Sequence, residues 1–334
     1  MDRQMKIAFP NMIRRIIMKS LKGLFFLVLI ITAIPNPAIA ENSMRVTTGE
    51  NAVSVHTGPR LFLRYPYKNV PFKPYVQQLF SPAGVNILRD APADHLHHHA
   101  LMFAVKVDGV NFWEETPSAG KQLHQSFTDV KTDIKSVVEN DKRFEIRNAG
   151  FTEHIDWTNS SRELLLKERR KIDVRQGTDL GATLLTWQST FELPDGTESA
   201  TITGSHYHGL GIRFTKSMDL AGRHFNADGK QGTVLRGDEK LLRSTWCAYT
   251  ANANGKPVTV AMFDHPQNPR HPATFFTMTK PFAYLAATMN LHKEPLKVES
   301  GKPLVLRYAV AVWDGKADND RIDKLYKRWS TKSM

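Results

Sequence analysis

Histidines gather at three places in this chain of 334 residues, which holds 13 of them. His95, His97, His98 and His99 lie in Asp94-His95-Leu96-His97-His98-His99, directly before the apolar run Ala100 to Val107. In an extended chain, where side chains alternate, His95, His97 and His99 share one face and His98 takes the other. His206 and His208 are again two apart, in Ser205-His206-Tyr207-His208-Gly209. His265 and His271 bracket a Pro-rich segment that runs from Asp264 to Pro272. Its prolines Pro266, Pro269 and Pro272 fix φ and restrict the residue before each, so Asp264, Asn268 and Arg270 are presented in set directions. His56, His124, His154, His224 and His292 stand alone and read as structural or exposed.

Two chemistries suit such a set. Neutral imidazole is a common metal ligand, and the same-face pairs His97/His99 and His206/His208 could offer four nitrogens to Zn or a similar divalent ion. Without a metal, histidine beside a carboxylate does general acid–base work near neutral pH. The candidate carboxylates are Asp94, Asp264 and the pair Glu114-Glu115, which follows Asn111-Phe112-Trp113. Phe112, Trp113 and Tyr207 could stack on a sugar ring, and they would serve a core equally well.

The elements that must position these residues read as strands. Apolar or alternating runs include Ala52 to Val55, Leu61 to Tyr65, Ala100 to Val107, Phe144 to Ile146, Leu184 to Phe191, Val258 to Phe263, Ala283 to Ala287 and Leu304 to Val312. Turn residues separate them, among them Asp108-Gly109, Pro194-Asp195-Gly196, Asn254-Gly255 and Ser300-Gly301. Short strands without intervening amphipathic helices predict an all-β fold, a large antiparallel sandwich. Glu163 to Val174 reads equally as a helix or a charged edge strand. Ile322, Leu325, Tyr326 and Trp329 follow at helical spacing after Asp318-Asn319-Asp320, which predicts a closing helix over 319–330.

The first 40 residues read as an export signal. From Met18, which could be the true start, Lys19 and Lys22 precede the apolar run Leu24 to Ile31 and the small-x-small site Ala38-Ile39-Ala40. The run is shorter than the roughly 20 apolar residues that cross a bilayer. A cleavable signal over 1–40 would leave a single sandwich domain over 41–334, periplasmic or secreted, with no membrane span. The formal charge of +12 includes a surplus of five from that segment, whose six Lys/Arg face one Asp, so the remainder carries +7. A surplus of seven without a Lys/Arg run argues against a nucleic-acid partner. Cys247 is the only cysteine, which excludes an internal disulfide, and its setting Trp246-Cys247-Ala248-Tyr249 reads as a buried strand.

Several of these segments resemble a known family. Asp94-His95-x-His97-His98 before a strand, then Val107-Asp108-Gly109-Val110-Asn111-Phe112-Trp113, is similar to the PmoA-like bacterial family of unknown function. Ser81-Pro82-Ala83-Gly84-Val85, the Pro-rich segment from Phe263 to Pro272 and the run Leu304 to Gly315 extend the likeness over roughly Leu61 to Gly315. Leu96 stands where the family has proline and Ala100 where it has glycine. Membership implies a galactose-mutarotase-like supersandwich and a place in carbohydrate degradation. It does not imply a membrane methane oxygenase, whose subunit needs transmembrane helices that this chain lacks.

These readings combine into one expectation. A concave face collects Asp94, His95, His97 and His98 with Asp264, His265, Asn268, Arg270 and His271, next to Trp113. His97, His98, Asp264 and His265 would carry proton transfer. Asp94, His95, Asn268, Arg270, His271 and Trp113 would bind a small-molecule or oligosaccharide ligand. The function expected is an exported carbohydrate-active enzyme acting on a sugar or modified glycoside by hydrolysis, elimination or epimerisation. The alternative is a non-catalytic sugar-binding protein of a glycan-utilisation system.

Overall fold

Alternating side chains and left-handed residues at the breaks build the described residues mostly from antiparallel strands. The computed structural model describes residues 43–139, 142–177 and 179–331. The expected signal peptide, Met18 included, lies outside the described residues. Asp108-Gly109 and Asn254-Gly255 have φ of 47° and 81°, and of 51° and 81°. Two successive left-handed residues are what a type I′ hairpin turn requires.

Two large sheets form the sandwich. One has eight strands in the spatial order Arg223–Asn226, Trp246–Ala253, Lys256–Asp264, Leu304–Asp314, Ala182–Glu192, Leu164–Gly177, Lys142–Thr158, Lys121–Glu139. The other has six, in the order Thr233–Arg236, Glu239–Arg243, Thr274–Met278, Tyr284–Thr288, Gly209–Arg213, Leu101–Ala104. Two smaller four-stranded sheets accompany them. The segment from Glu163 to Val174 is a strand, and an interior one, paired on both sides. Its ambiguity has a physical source: Lys167, Arg169 and Lys171 face outward while Glu168 and Arg170 are buried, so charge falls on both faces.

Register decides which face of the six-stranded sheet is which. The pairs Gly211↔Ala286, Phe276↔Ala286 and Leu241↔Phe276 put Arg213, Gly211, Tyr284, Phe276, Met278 and Glu239 on one face. Phe103, Ile212 and Leu285 fall on the other, and Phe103 packs its ring 5.6 Å from Phe191 of the eight-stranded sheet. The Phe103 face is therefore the core face, and the Arg213–Tyr284 face looks away from the sandwich interior.

The outer face of the eight-stranded sheet is covered by a helix, α1 (Asn319–Ser330), as expected. Asp318 caps it by accepting from the Arg321 N–H, which satisfies one of the free donors at a helix start. Ile322, Leu325, Tyr326 and Trp329 bury against Phe263, Ala309, Ala311 and Trp313. Each such side chain contributes about 1.5–3 kcal/mol.

Buried charge ties the eight-stranded sheet to the small sheet that contains Arg60–Pro66. Arg170, fully buried, donates to Glu168, Gln122, Tyr65 and the carbonyl of Pro74. Trp157 Nε1 and Ser189 Oγ complete the bonding of Glu168, and Glu153 accepts from Tyr65 and His124. Every charge in this network has hydrogen-bonded partners, the condition under which burial of ions is tolerated.

Candidate functional site

The segment Pro92 to His99 does not run extended. Turns close at His95 N to Pro92 O (2.8 Å) and at His98 N to His95 O (3.0 Å), so strict alternation of side chains fails. His95, His97 and His98 gather instead. The His98 ring lies 4.6 Å from both the His95 and His97 rings and 5.4 Å from Tyr284. These three histidines with Trp113, Glu114, Tyr207, Arg236, Glu239 and the outer-face residues Phe276, Met278, Phe282 and Tyr284 enclose a cavity of about 230 Å³. Gly211 makes the floor possible: a Cβ there would overlap the Tyr284 hydroxyl.

His99 points the other way, into a clamp. Its Nδ1 donates to Asp90 (2.9 Å) and its Nε2 to Glu115 (2.8 Å). Tyr75 stacks on the ring at 4.5 Å and donates to Asp90, as does Gln77, while buried Lys73 bonds Glu115 at 2.8 Å. Burial alone would lower the His99 pKa, but the two carboxylates outweigh it and hold it above its ordinary value. For Asp90 and Glu115 burial opposes ionisation, and their bonds to His99 and neighbours still hold both carboxyls below the usual range. The clamp joins residues that sit beside cavity residues in sequence, His99 after His98 and Glu115 after Glu114.

Within the cavity wall the histidines differ. Burial, reinforced by the neighbouring cations, pushes His98 down to about 2, so this ring stays neutral at any working pH. Burial likewise takes His208 down to about 3; its ring stacks on Trp113 at 4.9 Å, nearly parallel. His97 is less enclosed. Burial lowers its pKa while Glu114, whose Oε2 lies 3.6 Å from His97 Nδ1, pulls the other way. Arg213, buried with its guanidinium 3.4 Å over the Phe282 ring, donates to Asp94 at 3.0 Å. Burial works against ionisation of Asp94, but His95 and Arg213 hold it down at about 2. Around this cavity and its walls His98 Nδ1, Trp113 Nε1, His208 Nδ1, Arg213 Nε and Nη1 and Tyr284 Oη are buried without a hydrogen-bond partner, and His206 Nε2 lies 3.6 Å from Glu239 Oε2.

The Pro-rich segment sits elsewhere. Asp264 accepts from Asn268 Nδ2 (2.7 Å), His271 Nδ1 (2.7 Å) and the Ala273 N–H (2.8 Å), so both its oxygens hold the loop itself. Asn268 continues the tie by exchanging bonds with the Arg307 backbone. His265 packs edge-on against Trp329 of α1 at 5.2 Å. Arg270 donates to the carbonyls of Met289, Glu294 and Pro295 and borders a separate cavity of about 500 Å³. The segment enters the strand Thr274–Met278 at Thr274, and the aromatic cavity is lined by Phe276 and Met278, two and four residues or about 7 and 13 Å further along. The structure thus groups Asp94, His95, His97, His98 and Trp113, and leaves Asp264, His265, Asn268, Arg270 and His271 to the loop and its supports.

The four-histidine ligand set does not form either. Both His99 nitrogens are occupied by carboxylates, His208 is stacked within the wall, and among the described residues no three His, Cys, Asp or Glu side chains converge as a metal site. Glu114, Glu239, Phe282, Tyr284 and Arg213 are the site residues that sequence reasoning did not bring together. One signal was present: Gly209 and Gly211 alternate toward the face that carries Arg213, marking a strand face left open for larger neighbours.

An antiparallel β-sandwich carrying an aromatic, histidine-lined cavity on one outer sheet face is the class that fold and site define. The chain belongs to a family of unknown function, DUF6807, whose profile matches residues 52–327. No curated protein matches it in sequence. Among solved structures it is similar to a putative aldose 1-epimerase from Klebsiella pneumoniae, at 9% identity and a TM-score of 0.42, covering 87% of this chain and 88% of that one. It is also similar to α-galactosidases from Geobacillus stearothermophilus (9% identity, TM-score 0.42, 82% and 41% covered) and Lactobacillus brevis (6%, 0.44, 85% and 42%). The chain spans about two fifths of the length of those α-galactosidases. No reaction comes with likenesses of this size. Among the described residues no helix is long and apolar enough to cross a membrane.

Proposed function

We propose that the aromatic cavity binds a single sugar ring and that His97, backed by Glu114, moves a proton on it. The observation that carries this reading is the cavity itself: flat aromatic walls interleaved with the polar side chains of His95, His97, Glu114, Arg236 and Glu239. Sugar rings present apolar faces and a girdle of hydroxyls, and that wall matches both. At about 230 Å³ the cavity lies below the roughly 300–1,000 Å³ of pockets for larger ligands, which favours one ring over an oligomer.

Neutral His97 is a base poised to accept a proton, and Glu114 beside it steadies the imidazolium that forms. His98, held neutral, offers hydrogen bonds and not charge. On this reading Glu114 takes the part expected of Asp264, and Arg213 or Arg236 the part expected of Arg270. Export through the segment 18–40 belongs to the same proposal and is supported by its basic, apolar and small-residue order.

The test is incubation of the chain with a panel of glycosides, including oxidised and uronic-acid forms, read by mass spectrometry and by calorimetry. Product with wild type and none with His97→Gln or Glu114→Gln, at near-unchanged ligand affinity, supports the enzyme. Binding without product across the panel leaves the sugar-binding protein in its place.

A further inference from the structure

A larger cavity opens at one edge of the sandwich. There Arg223–Asn226 ends the eight-stranded sheet and the hairpin of Thr233–Arg236 with Glu239–Arg243 ends the six-stranded one. The cavity encloses about 600 Å³, within the roughly 300–1,000 Å³ usual for organic ligands, and shares no lining residue with the aromatic cavity.

Its wall is cationic and unpaired. Arg223, Lys230, Lys240 and Lys280 line it from four separate segments, and among the described residues none has an acidic side chain within ion-pair distance. Asp238, the one acid on the wall, is engaged by the backbone, its Oδ2 accepting from the N–H groups of Thr279 (2.6 Å) and Lys280 (3.0 Å). Four cations set apart on different segments suit several separated negative charges better than one compact anion.

His224 forms a neutral part of the same wall. Its Nε2 lies 3.3 Å from the Met278 carbonyl oxygen, which can only accept, so the proton of the neutral ring sits on Nε2. Nδ1 therefore carries a lone pair; it is buried and has no protein partner. Stacking on Tyr249 at 4.3 Å fixes the ring, and burial, holding its pKa down at about 4, keeps it neutral. A ligand that satisfies the wall must bring several negative groups for the cations.

We propose that this cavity binds an organic polyanion the size of two or three linked rings, its separated carboxylate or sulfate groups meeting Arg223, Lys230, Lys240 and Lys280. The site stands apart from the aromatic cavity and does not depend on any reaction there.

Calorimetry on the full chain at low salt, with trigalacturonic acid, a sulfated heparin disaccharide and neutral maltotriose as probes, tests it. Binding of at least one acidic probe and not of maltotriose is expected, and the two acidic arms separate carboxylate from sulfate. The affinity should fall about tenfold in Lys240→Ala/Lys280→Ala and also as ionic strength rises toward about 0.5 M, where charge contacts are screened. His97→Gln, in the other cavity, should leave it unchanged. Failure of both acidic probes, equal binding of maltotriose, or wild-type affinity in the double lysine variant would overturn the proposal.

Discussion

Replacing His99 with Phe keeps a flat ring against Tyr75 and removes both N–H groups that hold Asp90 and Glu115. Hydrogen bonds between charged partners contribute about 1.5–3 kcal/mol each, so two are worth about 3–6 kcal/mol. Asp90 keeps Tyr75 and Gln77, and Glu115 keeps Lys73, which places the expected loss at the lower end, about 3–4 kcal/mol. The pH dependence is the sharper reading. A histidine whose folded pKa is raised stabilises the fold fully below its unfolded value of 6.5, and that stability is lost as pH climbs through the folded value. Asp90 and Glu115, both lowered, stabilise above their unfolded values of 3.8 and 4.5, and that part is lost as pH falls through their folded values. The clamp should therefore contribute in full between 4.5 and 6.5 and fade above that range. This alkaline decline is distinct from the acid-side loss that begins below 6.5 as buried neutral His98, His208 and His224 are forced to take protons. Urea unfolding followed by tryptophan fluorescence, at about pH 6 and pH 9, measures both effects. His99→Phe should be less stable at pH 6 and lack the decline. A loss under about 1 kcal/mol, or an unchanged alkaline slope, would refute the clamp.

Three further outcomes follow from the packing. Gly211→Ala should push Tyr284 into the aromatic cavity, costing about 1–3 kcal/mol of stability and abolishing ring binding, as thermal unfolding and calorimetry would show. Arg270→Ala removes three bonds to loop carbonyls, so it should lower the unfolding midpoint while leaving affinity at the aromatic cavity within about twofold. Arg170→Ala strands the Glu168 carboxylate in the interior and should cost about 3–5 kcal/mol in denaturant unfolding, whereas a joint Arg170→Met/Glu168→Leu change should cost much less.

Strand pattern and turn chemistry were legible in the sequence because they are local. Alternation in Leu304 to Val312 and glycine after Asp108 or Asn254 are read from neighbouring residues alone, and the helix over 319–330 from a four-residue apolar stripe. The site was half legible. His95, His97, His98 and Trp113 announced themselves by type and crowding, but the assumption that an H-x-H run is extended misassigned His99 and His98, since two turns, over 92–95 and 95–98, break the alternation ahead of them. The Pro-rich loop misled for a related reason. Polar residues held rigidly suit a support as well as a ligand, and only the bond partners of Asp264 and Arg270 tell the two apart. Glu239 and Tyr284 reach the cavity through long-range strand pairing, which no local window records.

The strand Leu304–Asp314 pairs with Lys256–Asp264 on one side and Ala182–Glu192 on the other, near the middle of the eight-stranded sheet. A strand synthesised late thus closes a sheet begun much earlier, and α1 can dock only after it. Loop closure over such separations is slow, and the unpaired edges of Lys256–Asp264 and Ala182–Glu192 stay open until it is complete. While it is being made, this chain is a molecule with two exposed strand edges waiting on its own last stretch.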